Sequence, residues 1–181
     1  MIDPWSAAIK EAYASAPSGE VIWPTLELRH PTLPVPARIV VDHGEKLGDD
    51  PLVYGRMLRI EADAPVDAGE VVLFVSCNLQ AVPPANEENQ GPEMTLSIDN
   101  VPGDLMEALN NAVTTMAPID VVYREYMKDD PDTVHFMLEG MTLSRVTANM
   151  FRIEGKAGFL DLFNRQFLVD YSAEEHPSLA S

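Results

Sequence analysis

Met94-Thr95-Leu96-Ser97-Ile98-Asp99 is the stretch that decides the fold class. Met94, Leu96 and Ile98 fall on one side of an extended chain and Thr95, Ser97 and Asp99 on the other. That strict period of two is the mark of a strand with one face buried. The period then changes. Across Asn100–Met116, the residues Leu105, Met106, Leu109, Ala112, Val113 and Met116 recur near every 3.6 positions, which predicts a helix, and Pro118 stops it. Ile119–Met127 and Val134–Val146 read as strands joined by the turn Lys128-Asp129-Asp130-Pro131-Asp132, and Ala148–Gly155 as a strand that pairs back. Gly158–Phe167 is expected to form a short amphipathic helix or a knot of aromatics, and 172–181 a mobile tail.

Upstream of the deciding stretch, Val82–Pro92 is a long polar loop. Before it, Val71–Leu79 is a continuous apolar run, which predicts a central strand buried on both faces. Tyr54–Asp63 alternates as a strand, Ala64–Gly69 is a turn, and Asp42–Pro51 reads as a polar loop. Ala37–Val41 is a strand. His30–Pro36 carries Pro31, Pro34 and Pro36, which confine it to an edge or a connector. Val21–Trp23 and Leu26–His30 look like strand interrupted at Pro24. At the start, Asp3 caps a helix, Pro4 suits its first turn, and Trp5, Ile9 and Tyr13 form one stripe that must dock on its own sheet or on a neighbour.

The sum is a mainly β (α+β) chain: a β-sandwich or split β-barrel with an N-terminal helix and one inserted helix. It divides as one domain over 1–181, with the helix in 1–19, a β-rich core in 20–171 and the tail in 172–181. No βαβ alternation appears, which argues against a doubly wound nucleotide-binding fold.

Composition narrows the function. The chain has 29 acidic and 12 basic residues, a formal net charge of -17. Such a surface repels phosphate backbones, so no specific nucleic-acid binding is expected. No apolar run reaches the roughly 18 residues of a membrane span, and the start lacks the pattern of a secretory signal, so no membrane partner is expected. The single cysteine, Cys77, lies in the apolar run, where a buried inert thiol is the simple reading.

Motifs for chemistry are missing. The four histidines, His30, His43, His135 and His176, are not spaced as metal ligands, and His30 and His43 read as surface residues. Asp42-His43 has no Gly-x-Ser-x-Gly elbow to serve. Asp129, Asp130 and Asp132 lack the downstream Gly and Glu of a calcium loop. Glu87-Glu88 and Glu174-Glu175 sit in a loop and the tail, where nothing would tune them. No enzyme, cofactor or metal is expected.

Three stretches together resemble a known family. They are Leu26–Pro31 with Ala37–Asp42, then Met94–Val101 running into a helix, then Phe159-Leu160-Asp161-Leu162-Phe163-Asn164-Arg165-Gln166-Phe167. In this order they look like a siphophage tail family filed as a domain of unknown function, encoded after the tape measure, where lambda-like phages carry minor tail protein M. Where the family commonly continues with proline and arginines, this chain has Leu168, Val169 and Asp170. The resemblance implies a virion structural protein of the tail tip, made in the host cytoplasm. It would form a ring, hexameric by preference or trimeric, that joins the tail tube to the distal hub, with tube, tape-measure and hub proteins as neighbours. The alternative is a non-catalytic β-sandwich binding module.

A ring subunit needs surfaces for its neighbours. The candidates are the proline edge (Pro31, Pro34, Pro36), the loop prolines Pro83 and Pro84, and the C-terminal aromatics Phe163, Phe167 and Tyr171, which with Phe159 fall at spacing four. Arg165 would pair with Asp161, one turn earlier. An acidic wall around a channel would also keep passing DNA from sticking.

Overall fold

A computed structural model gives the fold. It describes residues 7–15, 21–42, 44–49, 52–82, 93–99, 117–148 and 152–159, with the isolated positions 107, 111, 114 and 115. Helix α1 spans Ala7–Ser15. Ten strands follow: β1 (Ile22–Arg29), β2 (Ala37–Val40), β3 (Glu45–Asp49), β4 (Leu52–Arg59), β5 (Val71–Ser76), β6 (Asn78–Val82), β7 (Glu93–Asp99), β8 (Ile119–Met127), β9 (Phe136–Ala148) and β10 (Arg152–Phe159). The chain is mainly β, as its alternation requires. All ten strands share one hydrogen-bonded sheet, in the order β3-β4-β5-β2-β1-β8-β9-β10-β7-β6.

That sheet is open but strongly curled. β5 lies beside β2, with Ile39 opposite Val75 in a parallel pair. After the single residue Cys77, the same stretch becomes β6 and pairs with β7 at the far end of the sheet. The Cys77 N–H donates to the Val40 carbonyl at 3.2 Å, which holds the start of β6 at the end of β2. One continuous stretch of chain thus touches both ends of a six-strand run, β2-β1-β8-β9-β10-β7.

The concave face of that run is the main core. Leu26, Leu28, Ile39, Val121, Met141, Ile153 and the deciding trio Met94, Leu96 and Ile98 are all buried there. Ile9 of α1 is fully buried in the same cluster, so the helix docks on its own sheet. Trp5 and the Tyr13 side chain lie outside the description.

Several expectations need correction. β1 runs through Pro24 without a break. Pro24 sits opposite Glu125, and on the β2 side its carbonyl still accepts the Val41 N–H at 2.9 Å. Because β1–β2 strand pairing begins only at Thr25–Val40, the missing proline N–H costs one marginal bond. The polar stretch 42–51 holds β3, which pairs with β4 through a bulge between Lys46 and Gly48. An edge strand with Glu45, Lys46 and Leu47 exposed carries no apolar signal. At the entry to β3, Gly44 has φ +65, and a Cβ there would stand 2.1 Å from Ser76 Oγ, so the hairpin needs glycine. The apolar run 71–79 is two strands, and only Phe74 of β5 is fully buried, while Val71 is exposed. Gly158 and Phe159 end β10 rather than open a helix. The remainder of that expected element and the tail lie outside the described residues. So does most of the expected helix 100–116, of which positions 107, 111 and 114 have helical backbone.

Candidate functional site

The other face of β1, β2 and β8 is built differently. Thr25, Glu27 and Arg29 alternate with the core leucines and point away from them. Pairing places Arg38 beside Glu27 and Arg124 beside Thr25. The end of β4 and the turn 61–70 cross over this face. Leu58, Ile60 and Phe74 pack on Trp23, Val40 and Tyr126 as a second apolar cluster. The Phe74 and Tyr126 rings meet edge to face at 6.1 Å, and the Tyr126 hydroxyl donates to the Arg59 carbonyl at 2.9 Å. The Arg56 guanidinium lies 4.7 Å above the Trp23 ring, a cation–π contact, while its Nε donates to Asp42 at 2.6 Å.

Beside this cluster lies a buried charge network. Glu27 is fully buried and accepts from Arg29, from Arg38 Nε at 2.8 Å and from Arg124 Nη1 at 3.4 Å. Arg124, also fully buried, donates to both Glu61 oxygens, at 2.7 and 2.5 Å. Arg38 reaches Asp67 at 2.6 Å. Asp67 sits at φ 55, a left-handed conformation that aspartate tolerates better than most residues. Three guanidinium groups face three carboxylates, so the network is neutral as a unit, which is what burial demands. Burial alone would push the Glu61 carboxyl up. The hydrogen bonds from Arg124 and from its own backbone, with the charges of Arg124 and Arg29, outweigh that and hold it below its usual range. Burial pulls the Arg124 guanidinium down, but Glu61 and Glu27 together raise it.

At the end of β1 the network meets the proline segment. The Leu33 N–H donates to the His30 carbonyl at 2.9 Å, closing a β-turn with Pro31 at its second position, where a fixed φ is favoured. The turn encloses one side of an open pocket of about 330 Å³. Its walls are apolar: Pro31, Leu33, Pro34, Pro36 and, from the turn 61–70, Val66. Its polar groups are Arg29, His30 and Asp120. His30 is only 6% exposed, so reading it as a surface residue was wrong. The physical reason is local. The Thr32 N–H donates to its Nδ1 at 3.1 Å, and the Thr32 hydroxyl lies 2.7 Å from the same atom, which folds the ring beneath the turn. With Nδ1 accepting, the neutral ring carries its proton on Nε2. Both His30 Nε2 and Arg29 Nη2 are buried donors without a hydrogen-bond partner among the described residues.

Of the interface candidates read from the sequence, the structure therefore brings Pro31, Pro34 and Pro36 together on one pocket, with Val35 beside them 63% exposed. Pro83, Pro84, Phe163, Phe167 and Tyr171 lie outside the described residues, as do His43, Glu87-Glu88, Asp161, Arg165 and Glu174-Glu175. The acidic turn is solvated: Asp132 meets Arg59 at 3.0 Å, and Asp130 lies 3.4 Å from His135. Cys77 is buried, and burial pushes its thiol up to about 11. Among the described residues no group of His, Cys, Asp or Glu is arranged to hold a metal ion. Nor is any described helix long and apolar enough to cross a membrane. Sequence reading missed Arg29 and the network behind it. The available signal was charges of both signs at alternate positions, Glu27 and Arg29 with Arg38, on strands whose other face is wholly apolar.

Fold and site together define a curled-sheet β domain with a braced face and an open, proline-walled pocket. The chain belongs to the family described as a domain of unknown function, DUF1833, whose model matches residues 8–170. Among curated proteins, none matches the chain.

Proposed function

We propose that this chain is a non-catalytic structural protein of a bacteriophage tail tip. It is a subunit of a ring, hexameric by preference, that joins the tail tube to the distal hub. In this reading it is made in the host cytoplasm and works in the virion, against tube, tape-measure and hub proteins. One observation carries the reading beyond the sequence resemblance. The proline turn, between β1 and β2, presents exposed Val35 beside a pocket lined by Arg29 and His30, each with a buried donor that has no partner among the described residues. An open apolar pocket beside an exposed valine suits a surface completed by a neighbour. The net charge of -17 fits a ring wall that DNA passes without sticking. The raised thiol of Cys77 fits an inert structural cysteine. The same reading takes the curled sheet as a split β-barrel module with a helix across 100–116, supported by the helical backbone at Glu107, Asn111 and Thr114.

The test is the mass of the purified chain by light scattering across a range of concentrations, followed by co-expression with the tube and hub proteins. A closed ring that grows in with concentration, or a complex with either protein, is the expected result. A strict monomer that also fails to bind both would overturn it. The pocket would then favour the second reading, a non-catalytic binding module.

A further inference from the structure

We infer that the turn 61–70 is a strap that opens separately from the sheet beneath it, held shut by two carboxylate latches, Glu61 on Arg124 and Asp67 on Arg38. The inference stands on this turn alone and does not depend on tail assembly. The turn joins β4 to β5, and none of its residues is buried. Its apolar side chains anchor it weakly: Ala62, Pro65 and Ala68 are exposed, and only Ala64 and Val66 reach half-burial. Its backbone keeps its own shape. The Gly69 N–H donates to the Glu61 carbonyl at 3.1 Å, and the Glu70 N–H to the Asp67 carbonyl at 3.0 Å. The neck is pinned. The Ile60 N–H donates to the Glu70 carbonyl at 2.9 Å, and the Arg59 N–H to the Pro131 carbonyl at 3.2 Å. Beyond that neck, and outside the hairpin of β4 and β5, the turn's hydrogen bonds among the described residues all come from the two carboxylates. A segment with few buried apolar contacts and no ladder bonds to break belongs to the part of a fold that opens first.

The energetics of the latches favour such a device. Removing a carboxylate by mutation leaves a buried guanidinium stranded, which is costly. Lifting the strap is different, because water reaches both partners of each pair at once. The hydration regained then offsets most of the Coulomb attraction lost. The two states also differ in charge. Shut, Arg29, Arg38 and Arg124 face Glu27, Glu61 and Asp67, and the face is neutral. Open, Glu27 alone remains against the three guanidinium groups, so the face of β1, β2 and β8 becomes positive within an otherwise acidic chain. The strap also carries Val66, which lines the pocket at the proline turn. Opening therefore removes one apolar wall of that pocket and uncovers Arg38 and Arg124 in the same movement.

The experiment is hydrogen exchange of the full chain followed by NMR, in low concentrations of urea. The reporter is the Arg124 Nε–H, which is fully buried and donates to Glu61 at 2.7 Å, so it meets water only when the strap lifts. The backbone amides of β1 and β8 report opening of the sheet itself. The Arg124 Nε–H is expected to show an opening constant at least about tenfold larger than the slowest of those amides, with little response to urea, because a lifting strap exposes little surface. Equal opening constants with equal urea slopes would overturn the proposal, since the strap would then open only when the whole domain unfolds. Asp67→Asn tests the latch. Asparagine tolerates the left-handed backbone of position 67 and keeps an acceptor without the charge. It is expected to speed exchange of the Arg124 Nε–H about fivefold, the difference between a charged and a neutral acceptor. Unchanged exchange in that variant, with its amide spectrum intact, would show that Asp67 holds nothing shut and would overturn the latch.

Discussion

The two faces of β1, β2 and β8 are made from alternate residues of the same strands, yet they are stabilised by different physics. On the concave face, Leu26, Leu28, Ile39 and Val121 are buried among other apolar side chains. On the opposite face, Glu27, Arg38 and Arg124 are buried almost as deeply, and each survives there only because the others neutralise it. The apolar face gains by leaving water and tolerates repacking. The charged face gains little from being buried and loses heavily if one member is removed. Depth of burial is thus a poor guide to what a residue contributes, and charge balance is the better one.

That comparison breaks first at its centre. Glu27→Ala strips the shared acceptor from three guanidinium groups and is expected to destabilise the fold by about 3–5 kcal/mol. Its neighbour on the other face, Leu28→Ala, is expected to cost about 2–4 kcal/mol through lost transfer energy and a residual cavity. Urea unfolding of both variants ranks the two faces. A Glu27→Ala variant close to wild type would show that the network relaxes or admits water, and that the two faces do not differ in what holds them.

A smaller effect sharpens the same contrast through pH. Glu61 is held below its ordinary value of about 4.5, so in the folded state it stays ionised to lower pH than in the unfolded chain. Its contribution is fully present above the unfolded value and is lost as pH falls from there through the folded value. Stability of the wild type is therefore expected to fall more steeply below about pH 4.5 than that of Glu61→Gln, by urea midpoints measured from pH 3 to 6. Parallel curves would show that Glu61 is not engaged. The smallest effect belongs to the exposed pairs. Lys156 meets Glu93 at 2.8 Å with both side chains well exposed, and Lys156→Ala is expected to change stability by less than about 0.5 kcal/mol. A larger loss in a melting curve would mean that charge on the outer strands matters as much as charge beneath the turn 61–70.

Legibility followed exposure of the pattern. The alternation of Met94, Leu96 and Ile98 announced β7 because one face of that strand meets the core and the other is mostly turned to water. The edge strand β3 was hidden, since Glu45, Lys46 and Leu47 are exposed and nothing selects an apolar period. The pocket was half legible. Proline spacing marked Pro31, Pro34 and Pro36 as a surface segment, but nothing near His30 in the chain announced that Val66 and Asp120, from distant turns and strands, would wall it in.

By itself the sequence determined the mainly β character, the positions of most turns, the acidic surface and the proline segment as an exposed feature. These are properties of local period, local conformational preference and composition, and they need no knowledge of what packs where. Only the tertiary structure decided the single curled sheet, the switch of one stretch from β5 to β6 at Cys77, and the burial of Glu27, Arg38 and Arg124 against half-buried Glu61. The reason is that a charged side chain on a strand looks the same whether water or a counter-charge will meet it. Glu27 meets Arg124 from 97 positions away, and Glu61 meets it from 63, distances along the chain that no local pattern spans.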